Sequence, residues 1–318
     1  MTTDPRPTVS IVMSVCNAVE SLPRALDSLF EQTFPHWELV LIDDGSTDGS
    51  AEIIDACARR DSRVRALHQE NAGLTRALIR GCGLARGEWI ARQDADDWSE
   101  PTRFEKCLAL AQTCPDCVMV SGWGAVRGPC GEMLGEVRRP ADPVKATAEL
   151  LTKRMGPPAH GGVMMRRDAY EAAGGYRAEF YYGQDSDLWL RIARLGPVAY
   201  VQEVLYNYTL SPTSISSTNG RLQWRFGELG QCCHAARMSG TDEDEFLREA
   251  ARLTEGLRGR RSRETGRKAR SHANYHIAMR LFERQDPRAA GYLREAIRLW
   301  PLNGRAIVRL WQMSRWNP

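Results

Sequence analysis

Two hydrophobic rhythms alternate through the first hundred residues. Val9-Ser-Ile-Val-Met-Ser-Val15 is short and rich in β-branched residues, which predicts a buried strand. From Ser21 to Gln32, the residues Leu22, Ala25, Leu26, Leu29 and Phe30 share one helical face, with Ser21 placed to cap it. Glu38-Leu-Val-Leu-Ile42 predicts a second strand, followed by the turn Asp43-Asp-Gly-Ser-Thr-Asp48. Helix over 51–60, strand over 64–67, helix over 74–85 and strand over 89–93 follow, and the last strand runs into Asp94-Ala-Asp-Asp97. Strand–helix repeats of this length require parallel strands with right-handed crossovers, a doubly wound sheet. Ligands of such sheets lie beyond the carboxyl ends of the strands, where both acidic clusters fall.

From Pro101 to Thr209 the pattern is mixed. Helices over 103–112, 143–154 and 184–194 and a strand over 163–166 are separated by Gly/Pro-rich turns, and from Phe226 the chain reads as helical. Residues 273–313 suggest a helical hairpin similar to a single tetratricopeptide-like unit. One such unit cannot form a solenoid, so a helical cap or a docking element is expected. The predicted division is 1–217 and 218–318.

Composition narrows the classes. With 318 residues, 42 % apolar and 26 % charged, the chain suits one large α/β domain with an appendage, or two modest domains. A net charge of +3 does not argue for a nucleic-acid partner, and neither aromatic interleaving nor a recognisable module supports one. No apolar run approaches the roughly 18–20 residues that span a bilayer. The polar start MTTDPRPTVS lacks a signal-peptide core, so a cytoplasmic setting is expected. The nine cysteines, Cys114-Pro-Asp-Cys117 included, match neither a zinc ribbon nor a disulfide framework, and reduced structural thiols are expected. Residues 248–270 hold nine Arg/Lys against three Glu. That stretch suits either a solvated amphipathic helix or peripheral contact with an anionic membrane face.

Three clusters carry chemistry. Asp94, Asp96 and Asp97 put three carboxylates in four residues, a repulsive set that suits Mg²⁺ or Mn²⁺, although a solvated acidic turn has the same composition. Asp44, followed by Gly45 and Ser46, is suited to accept a hydrogen bond from a base N–H or to make an Asx turn and helix cap. In Gln184-Asp-Ser-Asp187-Leu-Trp-Leu-Arg191, Asp187 has Arg191 four residues on as an ion-pair partner, whereas Asp185 has none and suits general-base work. His160 is expected as a structural or acceptor-side histidine ahead of a metal ligand. Trp189 is either a sugar-stacking ring or a buried anchor. Gly174-Gly-Tyr176 reads as a turn without chemistry.

The segments VSIVMSVCNAVESLPRALDSLFEQTF, ELVLIDDGSTDGS, NAGLTRALIRGCGLARGEWIARQDADDWSEPTRF, HGGVMMRRDAYEAAGGYR and QDSDLWLRIARLG occur in this order. Together they resemble the family 2 inverting glycosyltransferases of GT-A fold, over about residues 7–217. The resemblance implies that Ser14 and Asp44 contact the nucleoside, that Asp94 serves the ribose or the metal, that Asp96 ligates the metal and that Asp185 is the base. It also implies a nucleotide-sugar donor, a UDP-sugar above others, and a glycan or lipid-linked acceptor. Two positions depart from the family pattern. Ile79 stands where many relatives have Asn, leaving Arg76 or Arg80 as substitutes or as surface charges, and Gln184 replaces a common Glu before the base. A sugar nucleotidyltransferase would carry a Gly-rich phosphate loop where Ser14-Val-Cys-Asn17 stands. A catalytically inactive nucleotide-sugar-binding protein would have lost the DxD or the base, and both are present.

Overall fold

The computed structural model describes residues 6–212, 220–257 and 266–313. Strands β1 (Val9–Val15), β2 (Trp37–Asp44), β3 (Val64–Gln69) and β4 (Trp89–Arg92) are parallel and alternate with helices α1 (Leu22–Phe30), α2 (Ser50–Arg60) and α3 (Leu74–Gly83). All of β2 is buried, as a parallel strand covered on both faces requires. It runs two residues further than the hydrophobic run suggests, because Asp43 and Asp44 pair in register with His68 and Gln69 of β3. Ser21 occupies the N-cap of α1 but does not cap it through its side chain. Its Oγ donates instead to the Ala18 carbonyl at 3.4 Å.

Next along the chain come β5 (Trp98–Ser99), α4 (Arg103–Thr113), β6 (Met119–Arg127), β7 (Met133–Val137) and α5 (Pro143–Lys153). They are followed by β8 (Met164–Arg166), α6 (Arg167–Ala172), α7 (Gln184–Ile192) and β9 (Val198–Thr209). The sheet order is β3-β2-β1-β4-β8-β6-β9-β5, with β7 beside β6. Parallel pairing ends at β4, which meets β8 antiparallel, so the sheet is mixed. Side-chain alternation builds a core on each face. Val9, Ile11, Met13 and Val15 enter one with α1, α2 and α4, and Val12 enters the other with α3, α5, α6 and α7.

The described residues divide into two compact units. The first holds 6–124, 137–208 and 225–257. Here α8 (Gly220–Ser239), from Arg225 onward, and α9 (Asp244–Leu257) bury Phe226, Leu229, Cys233 and Ala250 with Phe180. The second holds 125–136, 209–212, 220–224 and 266–313. Its helices α10 (Arg267–Glu283), α11 (Ala289–Leu299) and α12 (Gly304–Met313) enclose Ala278, Leu293, Ala296 and Ala306. Ser271 joins these helices, its Oγ donating to the Ala296 carbonyl at 2.6 Å while accepting from Asn303 Nδ2 at 3.0 Å. The boundary expected at 217 and residues 258–265 of the basic stretch lie outside the described residues. Among those described, no helix is long and apolar enough to cross a membrane.

The cysteine expectation needs one correction. Cys114 and Cys117 form a disulfide, because the turn that ends α4 brings their Cα atoms to 5.4 Å. The other seven cysteines are thiols, with Cys57, Cys82, Cys107 and Cys233 buried.

Candidate active site

Strand β4 ends in a fully buried cation. Arg92 donates through Nη1 to the carbonyls of Val12 (2.7 Å) and Gln93 (2.9 Å), and through Nη2 to Asp94 Oδ1 (2.5 Å). The Asp94 N–H donates to the Tyr206 hydroxyl at 3.1 Å. Its second oxygen faces Gly161, where a Cβ would come within 2.8 Å of Oδ2 and 1.8 Å of the Tyr206 hydroxyl. No side chain fits there, so the glycine keeps the carboxylate open on that side. Asp96 retains solvent contact and accepts from Arg24 Nη2 through its carbonyl (3.2 Å), the Arg24 guanidinium lying 3.8 Å over Trp98. Neighbouring protein removes part of the hydration of Asp96. That loss, and secondly the Asp94 charge, raises its carboxyl to about 6.

The 3₁₀ turn His160–Gly162 puts His160 against this cluster. Its Nε2 lies 2.6 Å from the Tyr176 hydroxyl, and its ring meets Trp189 edge-on at 6.2 Å. Burial, and secondly the Arg92 charge, lower its pKa to about 4, against the opposing pull of Asp185 and Asp94. The imidazole is therefore neutral at pH 7, and both carboxylates act on it. Asp185, in the first turn of α7, accepts the Ser186 N–H at 2.8 Å and has no ion pair among the described residues. Asp187 faces the interior instead, fully buried, 2.6 Å from Arg191 Nη2 and 3.8 Å from Arg177 Nη1. Arg177 also donates to Glu243 (2.7 Å), which pairs with Arg237, so α7 is tied to α8 and to the residue that precedes α9. Trp189 is 6 % exposed, and a Cβ on Gly156 would come within 2.7 Å of its ring.

A second group forms at the ends of β1 and β2. Ser14 is half-buried in β1 opposite Ile42. Asp44 Oδ1 accepts from Gln69 Nε2 (2.7 Å) and the Ala72 N–H (2.8 Å), and Oδ2 from the Gly73 N–H (2.9 Å). Both oxygens thus shape the 71–73 loop. Gly45 is required beside it, with φ of +74° and a backbone approach that puts a Cβ 2.8 Å from the Asn71 nitrogen. Tyr181 closes over Gly73, its segment held by Thr75 Oγ1 donating to the Phe180 carbonyl (2.7 Å) and Thr254 Oγ1 to that of Glu179 (2.5 Å). Arg80 donates to Gln69 Oε1 at 3.0 Å, at the end of β3.

The structure therefore brings Asp94, Asp96, His160 and Asp185 within electrostatic reach along two chains of influence. It adds Arg92, Tyr176, Tyr206 and Tyr181, which pattern reading missed. A charged residue at a strand position otherwise reserved for apolar side chains was the one available signal, for Arg92. Among the described residues no set of three His, Cys, Asp or Glu could hold a metal. Asp94 Oδ2 and Asp96 offer two hard oxygens, a donor set that fits Mg²⁺ or Mn²⁺ when diphosphate oxygens and waters complete the shell.

The sequence model of Glycosyl transferase family 2 matches residues 10–174. The chain is 35 % identical over 211 residues to the protein named Putative glycosyltransferase EpsE of Bacillus subtilis, covering 63 % of this chain and 72 % of that one. It is 27 % identical over 244 residues to the chondroitin synthase of Pasteurella multocida, where it covers 76 % of itself and a quarter (25 %) of the synthase. Among solved structures, the mannosyltransferase PcManGT of Pyrobaculum calidifontis, in complex with GDP-Man and Mn²⁺, matches with a TM-score of 0.56 at 18 % identity, over 97 % of this chain and 84 % of that one. S. aureus TarS 1-349 in complex with UDP matches with a TM-score of 0.55 at 13 % identity, over 98 % and 93 %. These structural likenesses establish the GT-A architecture, a mixed sheet with C-terminal helices. With the family match spanning more than half of its length, this chain belongs to glycosyl transferase family 2 and is a glycosyltransferase.

Proposed function

We propose that the chain transfers a sugar from a UDP-sugar to a hydroxyl of a glycan or lipid-linked acceptor, with inversion at the anomeric carbon, on the cytoplasmic side of the membrane. The observation that carries this reading is the unlike surroundings of two carboxylates acting on one neutral histidine. Asp94 is clamped by a buried arginine, and Asp185 has no ion pair among the described residues.

Asp185 takes the proton from the acceptor hydroxyl as it attacks the anomeric carbon, in one in-line displacement through an oxocarbenium-like state. His160, neutral and held by the Tyr176 hydroxyl, orients the sugar or acceptor hydroxyls by hydrogen bonding without competing for that proton. Trp189 backs the His160 ring. Ser14 and the loop shaped by Asp44 receive the nucleoside, where Asp44 Oδ2, with a single donor from the loop, keeps acceptor capacity for a base N–H. Asp94 Oδ2 and Asp96 would hold Mg²⁺ or Mn²⁺, which when bound offsets the negative charge of the departing diphosphate. The names of the structural neighbours, with UDP, UDP-GlcNAc, or GDP-Man and Mn²⁺, support a nucleotide-sugar donor and a metal. The chondroitin and hyaluronan synthases among its relatives support a role in polysaccharide synthesis.

The test is nucleotide-diphosphate release over a panel of donors with Mn²⁺, for the wild type, Asp96→Ala and Asp185→Asn. Release that needs metal and is lost in both variants is expected. Donor binding without release, whatever acceptor is supplied, would make the chain a binding protein, and no donor binding at all would refute the reading.

A further inference from the structure

Helix α12 has two apolar faces. One, formed by Ala306, Leu310 and Met313, packs into the core of the second unit. The other carries Ile307, Val308 and Trp311, which are 47 %, 54 % and 54 % exposed and lie on one side by their helical spacing. Leu302, just before the helix, is 80 % exposed. Single apolar residues on a surface are ordinary, but a row of them opposite an already packed face marks a surface made to be covered.

Charge indicates the cover. Residues 266–313 contain ten Arg/Lys against three Asp/Glu, a surplus of seven in a chain whose total is +3. Two of the three acids, Asp286 and Glu295, are already paired with Arg288 and Arg298. On the helical wheel of α12, the exposed Arg305 lies round the helix beyond Val308, whereas Arg309 turns further toward the packed side, 5.2 Å over the Phe282 ring. A second copy of this surface would bring two such surpluses together, which opposes self-association. An anionic bilayer offers what both features need, phosphates for the arginines and an acyl boundary for Ile307, Val308 and Trp311. Tryptophan suits that depth, with an apolar ring and a polar N–H.

We propose that α12 docks this unit onto anionic lipid headgroups, lying in the plane of the interface. Docking here is independent of the reaction at the carboxylate cluster, so each can fail without the other.

The experiment is co-sedimentation of the full chain with vesicles of phosphatidylcholine alone, or of equal phosphatidylcholine and phosphatidylglycerol, at low and high salt. Binding to the anionic vesicles alone, weakened by salt, is expected. Val308→Ser with Trp311→Ser should weaken it about tenfold or more, and Arg305→Ala about fivefold, each with an unchanged circular dichroism spectrum. Ile307→Ser gives an independent test should the first pair misfold. Val144→Ser, at another exposed apolar site (75 %), should leave binding unchanged. Equal binding to both vesicles, no binding, or full binding by the folded α12 variants would overturn the proposal. So would a dimer in light scattering that Trp311→Ser dissolves, since a second copy would then cover the face.

Discussion

Arg92 Nη2 sits 2.5 Å from Asp94 Oδ1, a fully buried guanidinium held by a carboxylate that is 26 % exposed. This pair gives the two acids of the Asp-Ala-Asp turn different work. Asp94 neutralises a charge inside the fold and turns its other oxygen toward Gly161, whereas Asp96 belongs to the surface of the site.

The first prediction separates them by stability. Asp94→Asn leaves Arg92 buried without its counter-charge, which should destabilise the protein by about 3 kcal/mol, the low end for a broken buried pair because Asp94 keeps some solvent. Asp96→Asn removes a carboxylate that Asp94 repels, and should hold stability within about 0.5 kcal/mol or raise it. Both should lose turnover. Urea unfolding of the two variants checks this, and equal losses of stability would show that the Arg92 contact matters little.

Much of this site could be read in the chain before its fold was known, because it depends on local pattern. The alternation that sets β1 to β4 also sets where Asp44 and Asp94 emerge, and the i, i+4 spacing of Asp187 and Arg191 singles out Asp185. What could not be read comes from distant partners. Tyr206 meets Asp94 across 112 residues, and Tyr176, in an apparently plain turn, reaches His160. Asp44 reads in sequence as an acceptor for a base N–H or as an Asx-turn cap, but the 71–73 loop returns to engage both its oxygens. Ser21 stands where a cap belongs, yet its Oγ turns back to Ala18.

The second prediction concerns Gly161. An alanine Cβ there would overlap the Tyr206 hydroxyl and press on Asp94 Oδ2, displacing the acceptor of the Asp94 N–H. Gly161→Ala should cost about 1–3 kcal/mol and lower kcat more than tenfold. Tyr206→Phe, which removes that acceptor without adding bulk, should cost about 1–3 kcal/mol for an unsatisfied N–H and lower kcat less. Steady-state kinetics with thermal melts tests the order, and an active Gly161→Ala would mean that the turn and Tyr206 move apart freely.

The third concerns pH. His68 Nδ1 lies 2.9 Å from Asp43 and Nε2 3.0 Å from Asp55. The bonds to Asp43 and then Asp55 raise the His68 pKa above 6.5, so its contribution is complete below 6.5 and disappears as pH rises through the folded value. Burial disfavours the Asp43 carboxylate, but bonds from Ser46 and His68 outweigh it and lower its pKa below 3.8. That contribution is present above 3.8 and lost as pH falls through the folded value. The two act together between 3.8 and 6.5. Because the His68 side chain is 44 % exposed, the wild type should exceed His68→Gln by under about 1 kcal/mol in that window, and by less above it. Urea midpoints against pH report this, and a difference that grows with rising pH would reverse the sign assigned to His68.

The last prediction follows the ionic chain behind Asp185. Asp187 is fully buried between Arg191 and Arg177, and Arg177 continues to Glu243 and Arg237. Glu243 bridges Arg177 and Arg237, both partly buried, and Glu243→Gln should leave these two arginines facing each other with only the more distant Asp187 to offset them, at a loss of about 2–3 kcal/mol. Loss of stability alone would be a packing effect. The chain, however, also fixes α7, whose first turn carries Asp185. Glu243→Gln should then lower kcat several-fold while the KM for the donor, whose proposed contacts lie on β1, β2 and the Asp94 turn, stays near the wild-type value. Assays well below the melting temperature of the variant separate the two effects. If kcat is unchanged there, α8 and α9 stabilise the unit without positioning Asp185, the proposed base, which then owes its position to the 177–183 segment and to Arg191 alone.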